Sequence, residues 1–136
     1  ELEWLTGRAI RSLADAKAAI TALQAKGPRC VLLTSLRTEA TGDDEIEMLA
    51  AEGGGFWRLR TPMLPLSVNG AGDAIAALFL FHRLKSGAAA AALEAAAASI
   101  FGLLSRTLEA GARELQVVAA QKEITAPSRR FIAEAC

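Results

Sequence analysis

Ser67-Val68-Asn69-Gly70-Ala71-Gly72-Asp73-Ala74-Ile75-Ala76-Ala77-Leu78 runs from a β-favouring pair, through two glycines, into an apolar helical stretch. Gly70 and Gly72 carry no Cβ, so the backbone can turn sharply there and approach a ligand closely. A helix starting at Ala71 aims unpaired N–H groups back at the turn. Together with the helix dipole, they form a site for phosphate oxygens. Asp73 places a carboxylate at the mouth of that anion site, where it can take the proton of a hydroxyl attacking a phosphoryl group. An equally economical reading is that Asp73 caps its helix and the glycines only make a tight turn, because short glycine strings are weak signals.

On either side of this stretch the pattern alternates helix and strand. Downstream, an apolar helix from Ala71 to about Lys85 reads as buried nearly all round and carries the lone His82, a structural rather than catalytic residue on this reading. Ser86-Gly87 stops it. A second helix over roughly Ala90 to Ala110 shows a stripe of Leu93, Ala97, Ile100, Leu104 and Leu108. A short strand is expected around Val117-Val118, and a surface helix or loose end after Ala126-Pro127.

Upstream, Glu1 to Thr6 reads as a helical end stopped by Gly7. Ser12-Leu13-Ala14-Asp15 has capping-box spacing ahead of a helix ended by Gly27-Pro28. Cys30-Val31-Leu32-Leu33 is a continuous apolar run, as in a strand buried on both faces of a parallel sheet. It ends in Thr34-Ser35, two hydroxyls at the strand end where α/β sheets gather ligands and where they could bind phosphate; on pattern alone a plain strand-end turn accounts for them equally well. Ile46 to Ala51 and Phe56 to Arg60 flank Gly53-Gly54-Gly55 as a hairpin. Thr61 to Pro65 is an extended connector, its prolines excluding helix.

The bulk composition narrows the function. With 136 residues there is enough chain for one core. Lys plus Arg equals Asp plus Glu at 15 each, which argues against nucleic acid or an anionic membrane surface as the main partner. Cys30 and Cys136 match no metal-ligand spacing, and a reducing cytoplasm is the expected location. No uninterrupted apolar run reads as a membrane span, since Glu94 breaks the alanine tract. A start at Glu1 inside a helix suggests the rear part of a larger protein.

Asn69-Gly70-Ala71-Gly72-Asp73 with the apolar run after it resembles the signature of ribokinase-superfamily (PfkB-like) kinases. Three further stretches are similar to pyridoxal kinases: Glu1 to Gly7, the Thr34-Ser35 strand end, and Leu115-Gln116-Val117-Val118-Ala119-Ala120-Gln121 with Ala126-Pro127 and Phe131. The resemblance implies a ribokinase-like three-layer α/β/α fold, of which residues 1–136 would be the C-terminal part of a single kinase domain, with a mostly parallel sheet and an added hairpin. It implies ATP-dependent phosphorylation of the 5′-hydroxyl of pyridoxal, with ATP and Mg²⁺ as cofactors.

Carried over by position, Asp73 would be the base and a substrate contact, with Gly70, Ala71 and Gly72 donating amides to the moving phosphoryl. ATP would be met by Glu1, Thr34, Ser35, Thr61, Pro62, Met63, Leu64 and Asn69, and the metal by Glu1. The same family implies a homodimer, and a vitamer pocket built mostly by an N-terminal half absent from these residues, so that they alone would be inactive. Two alternatives stay open: a hydroxymethylpyrimidine or sugar kinase of the same superfamily, and a non-catalytic nucleotide- or B6-binding protein.

Overall fold

The computed structural model describes residues 1–136. Short helix α1 (Leu2–Thr6) ends at Gly7 in the left-handed conformation, φ 67°. In α2 (Leu13–Gln24) the capping box is complete: Ser12 Oγ accepts from the Asp15 amide at 3.1 Å, and Asp15 Oδ2 accepts from the Ser12 amide at 3.0 Å. The strands β1 (Cys30–Leu36), β2 (Glu45–Glu52) and β3 (Gly55–Pro62) follow. Then come α3 (Ala71–Ser86), α4 (Ala89–Glu109), α5 (Lys122–Thr125) and β4 (Glu134–Ala135).

The sheet order is β1-β2-β3-β4, and every named pair is antiparallel. The expected mostly parallel sheet is therefore corrected, and the reason is connection length. Parallel neighbours need a crossover of a dozen or more residues. Here Arg37–Asp44 joins β1 to β2 without a helix, and Gly53-Gly54, at φ 58° and 83°, closes the β2–β3 hairpin. The continuous apolar run in β1 arises because helices cover both faces of the sheet. The one parallel contact is an isolated bridge between Asn69 and Glu114.

The three-layer arrangement holds. Alternate residues of β2 point to opposite sides, as the two-residue strand period requires. Leu49 and Ala51 pack with Ala16, Ala19 and Ile20 of α2, whereas Met48 and Ala50 pack with α3 and α4 through Ile75, Phe79, Leu93 and Ala96. Each large apolar side chain sealed this way contributes about 1.5–3 kcal/mol.

Several sequence expectations need revising. Helix α3 buries Ile75, Leu78 and Phe79 against α4 and the sheet, but leaves Leu80, Phe81 and Leu84 more than half exposed, because nothing in these residues packs on its far side. Val117-Val118 form turns rather than a strand: Val117 donates to the Leu115 carbonyl at 2.9 Å, and Thr107 Oγ1 takes the Gln116 amide at 3.1 Å. The tail is not loose. Phe131 stacks edge-on against Phe101, Glu94 accepts the Ala133 amide at 2.9 Å, and β4 pairs with β3. By length and composition alone α4, with 21 residues and a mean hydropathy of 1.3 over its most apolar 18, could cross a membrane, although Glu94 interrupts it as read from the sequence. Its apolar side is occupied by the core: Ala92, Leu93, Ala96, Ala97, Ile100 and Leu103 are buried.

Candidate active site

The turn before α3 leaves its backbone donors without partners in the chain. Gly70 sits at the N-cap with φ 85° and ψ −6°, a left-handed conformation that a Cβ would strain by about 1–2 kcal/mol. The first backbone bond of the helix runs from the Ala74 amide to the Gly70 carbonyl at 2.9 Å. The amides of Gly70, Ala71, Gly72 and Asp73 donate to no acceptor of the chain, and no side chain caps the helix. Four converging donors at a positive helix end suit an anion.

Asp73 and Asp15 occupy the same position, third residue into their helices, and behave oppositely. Asp15 accepts from the Ser12 hydroxyl and from the Arg11 and Ser12 amides, and these bonds hold its carboxyl below the ordinary value. Asp73 is exposed and its carboxylate makes no hydrogen bond or ion pair. The capping alternative left open by the sequence is therefore not the state of this residue. Asp73 holds an unengaged acceptor beside four unengaged donors.

Gly72 adds a separate observation. Its φ is not positive, and a Cβ built on it would meet no atom within 4 Å. Neither backbone nor packing requires glycine there, so what remains is open space on the face of the turn. Ala71 and Gly72 line a cavity of about 390 Å³ together with Thr34, Ser35, Thr61, Pro62, Met63 and Leu64. That volume is in the range of small-molecule sites. Thus the three chain segments singled out from sequence meet at one cavity. Its apolar wall comes from Ile46, Met48, Ile75, Ile100, Phe101 and Leu104, which the sequence pattern did not separate from core residues.

Four expected residues, Gly70, Asp73, Asn69 and Glu1, stand off from this wall. Asp73 lies next to Gly72 without lining the cavity, and Asn69 is held by its backbone bridge to Glu114. Glu1 lines a neighbouring cavity of about 370 Å³, which shares Thr34 and Ser35 with the first. Ser35 connects the two. It is the one non-glycine residue with positive φ, 55°, at the register shift between Leu33 and Leu36. Such a bulge re-aims side chains at a strand end and stores backbone strain, as functional sites often do.

No group of three or more His, Cys, Asp or Glu side chains could enclose a metal ion. Mg²⁺ does not need one, since it is commonly held by one or two carboxylates plus phosphates and water. Glu1, whose carboxylate makes no hydrogen bond or ion pair, meets that smaller demand. His82 plays no part here: it lies on α3 away from the cavity, with burial lowering its basicity.

The helix start with free amides, the uncapped carboxylate and the adjoining cavity form one concave site suited to an anionic ligand. Residues 1–101 match the pfkB family of carbohydrate kinases, and the chain belongs to that family. It is 55% identical over its whole length to the pyridoxal kinase PdxY of Granulibacter bethesdensis, covering 49% of that protein. It superposes with a TM-score of 0.85 on the pyridoxal kinase of Leishmania donovani in complex with ADP and pyridoxine, at 21% identity over 99% of this chain and 48% of that one. A putative phosphomethylpyrimidine kinase from Bacteroides thetaiotaomicron gives 0.81 at 18% identity, over 93% of this chain and 44% of that one. The chain thus spans about half the length of the curated relatives it matches.

Proposed function

We propose that the intact protein is an ATP-dependent pyridoxal kinase, transferring the γ-phosphoryl of ATP to the 5′-hydroxyl of pyridoxal. The observation that carries the reaction type is the turn itself: four amides without acceptors beside a carboxylate without donors. The vitamer is supported by the 55% identity to PdxY, which extends through the Leu115–Gln121 segment.

Phosphoryl transfer asks the protein mainly for positioning and for donors fixed where charge develops. The amides of Gly70, Ala71 and Gly72 serve that purpose at no reorganisation cost, being held open by the left-handed Gly70. Asp73 accepts the proton of the 5′-hydroxyl as oxygen attacks. Thr34 and Ser35 offer hydroxyls, and Thr61 to Leu64 form the opposite edge along which the nucleotide lies; Asn69 joins them through the connector. Mg²⁺, when bound, neutralises phosphate charge, and Glu1 would hold it.

The half-length coverage of relatives supports a division of labour. These residues supply the nucleotide side and the base, while most of the vitamer pocket comes from chain outside them. Residues 1–136 alone are then inactive. The test is competition on the intact protein. Pyridoxal should be phosphorylated with the higher kcat/KM when hydroxymethylpyrimidine is present at equal concentration. Preference for the pyrimidine would instead support the neighbouring kinase class, and nucleotide binding without turnover on either would support a sensor.

A further inference from the structure

Most of the basic side chains with a specific contact are already committed. Arg58, Arg60, Arg83 and Arg106 each pair with a carboxylate, and Arg129 lies over the rings of Phe101 and Phe131. Arg37 is different. It is exposed, has no acid partner, and its one contact is from Nη1 to the Met63 sulfur at 3.3 Å. A thioether is a weak acceptor for a group that carries five donors and a permanent charge.

Its position gives that charge a use. Arg37 follows the strained Ser35 by two residues and lines, with Thr34, Ser35 and Glu1, the cavity that adjoins the nucleotide cavity. Its contact to Met63 reaches from the end of β1 to the β3–α3 connector, which forms the other edge of the site. Among the four principal cavities, it is the only Lys or Arg lining one that contains Thr34 and Ser35. We propose that Arg37 is a nucleotide-positioning residue. Its guanidinium exchanges the Met63 sulfur for oxygens of a non-transferred phosphate of the nucleotide, using the charge-assisted bonds at which arginine excels. This rests on the kinase reading above and adds to it a residue that no motif marked.

A contact made equally in ground and transition states shows in KM rather than kcat. In the intact protein, Arg37→Ala should raise KM for ATP about tenfold or more, with pyridoxal KM and kcat at saturating ATP changing far less. Arg37→Lys should recover part of the loss, and ADP affinity should fall while adenosine affinity does not. The melting temperature should stay within about 1 °C, since the side chain is exposed. An unchanged KM for ATP in Arg37→Ala, in a protein whose wild type is active and whose Asp73→Asn variant is not, overturns the role of Arg37 and leaves the kinase reading standing. A wild-type protein that binds no adenine nucleotide overturns both.

Discussion

Gly72→Ala separates a glycine kept for a ligand from one kept for the fold. The added methyl points into open space, so it meets no steric penalty within 4 Å. Position 72 lies inside α3, where alanine is favoured over glycine by about 0.5–1 kcal/mol. Stability should therefore hold or rise, by roughly 2–4 °C in melting temperature per kcal/mol for a protein of this size class or larger. Activity should move the other way. The methyl occupies the approach to the amides, and a misplacement of about 1 Å at a reacting centre can cost ~10²-fold. That equals about 2.7 kcal/mol of barrier. The assay is a thermal melt beside kcat/KM for ATP-dependent phosphorylation of pyridoxal, both on the intact protein. A variant that melts several degrees lower would show that Gly72 is structural. One that melts higher and turns over within about threefold of wild type would show that nothing approaches those amides.

Gly70→Ala should behave differently: forcing a Cβ to φ 85° costs about 1–2 kcal/mol, so here the melting temperature falls together with activity. Gly102→Ala drives a Cβ against Glu123, whose Cδ and Cβ would lie 2.8 and 2.9 Å away, with the Ser128 amide holding its carboxylate and limiting any retreat. A loss of about 1–3 kcal/mol in denaturant unfolding is expected. The buried Glu123 carboxyl is held below its ordinary 4.5, first by the Ser128 amide and then by Arg106, against the opposing effect of burial. A depressed pKa contributes stability that is complete above the unfolded value and is lost as pH falls through the folded one. Unfolding free energy should therefore drop below about pH 4.5 in the wild type, and less steeply in Glu123→Gln; parallel acid limbs would contradict this.

What could be read from sequence was whatever a few adjacent residues decide. The Ser12–Asp15 box, the Gly70 turn and the Gly53-Gly54 hairpin each follow from chemistry within four residues, and each stands where expected. Strand direction was not readable from β1, because an apolar run says that both faces are covered, not which way the neighbour runs. Val117-Val118 shows the same limit: two β-branched residues favour a strand, but with no strand beside them and Thr107 accepting the preceding amide, that of Gln116, the chain turns. The tail's order rests on contacts to residues far back in the chain, Glu94, Phe101 and Phe56. At the site, the turn and the Thr34-Ser35 strand end were visible as motifs. The apolar wall from Ile75 to Leu104 was not, since cavity-lining and core residues share one periodicity.

Asp73→Asn in the intact protein puts the central claim to its most direct test, because the amide keeps the size of the carboxylate and removes only its basicity. Nucleotide affinity should remain within about threefold, while kcat for pyridoxal falls by ~10²–10⁴, the usual contribution of a general base. Turnover at near wild-type rates would mean that the proton of the attacking hydroxyl leaves by another route, and that the carboxylate beside the Gly70 turn is not the base.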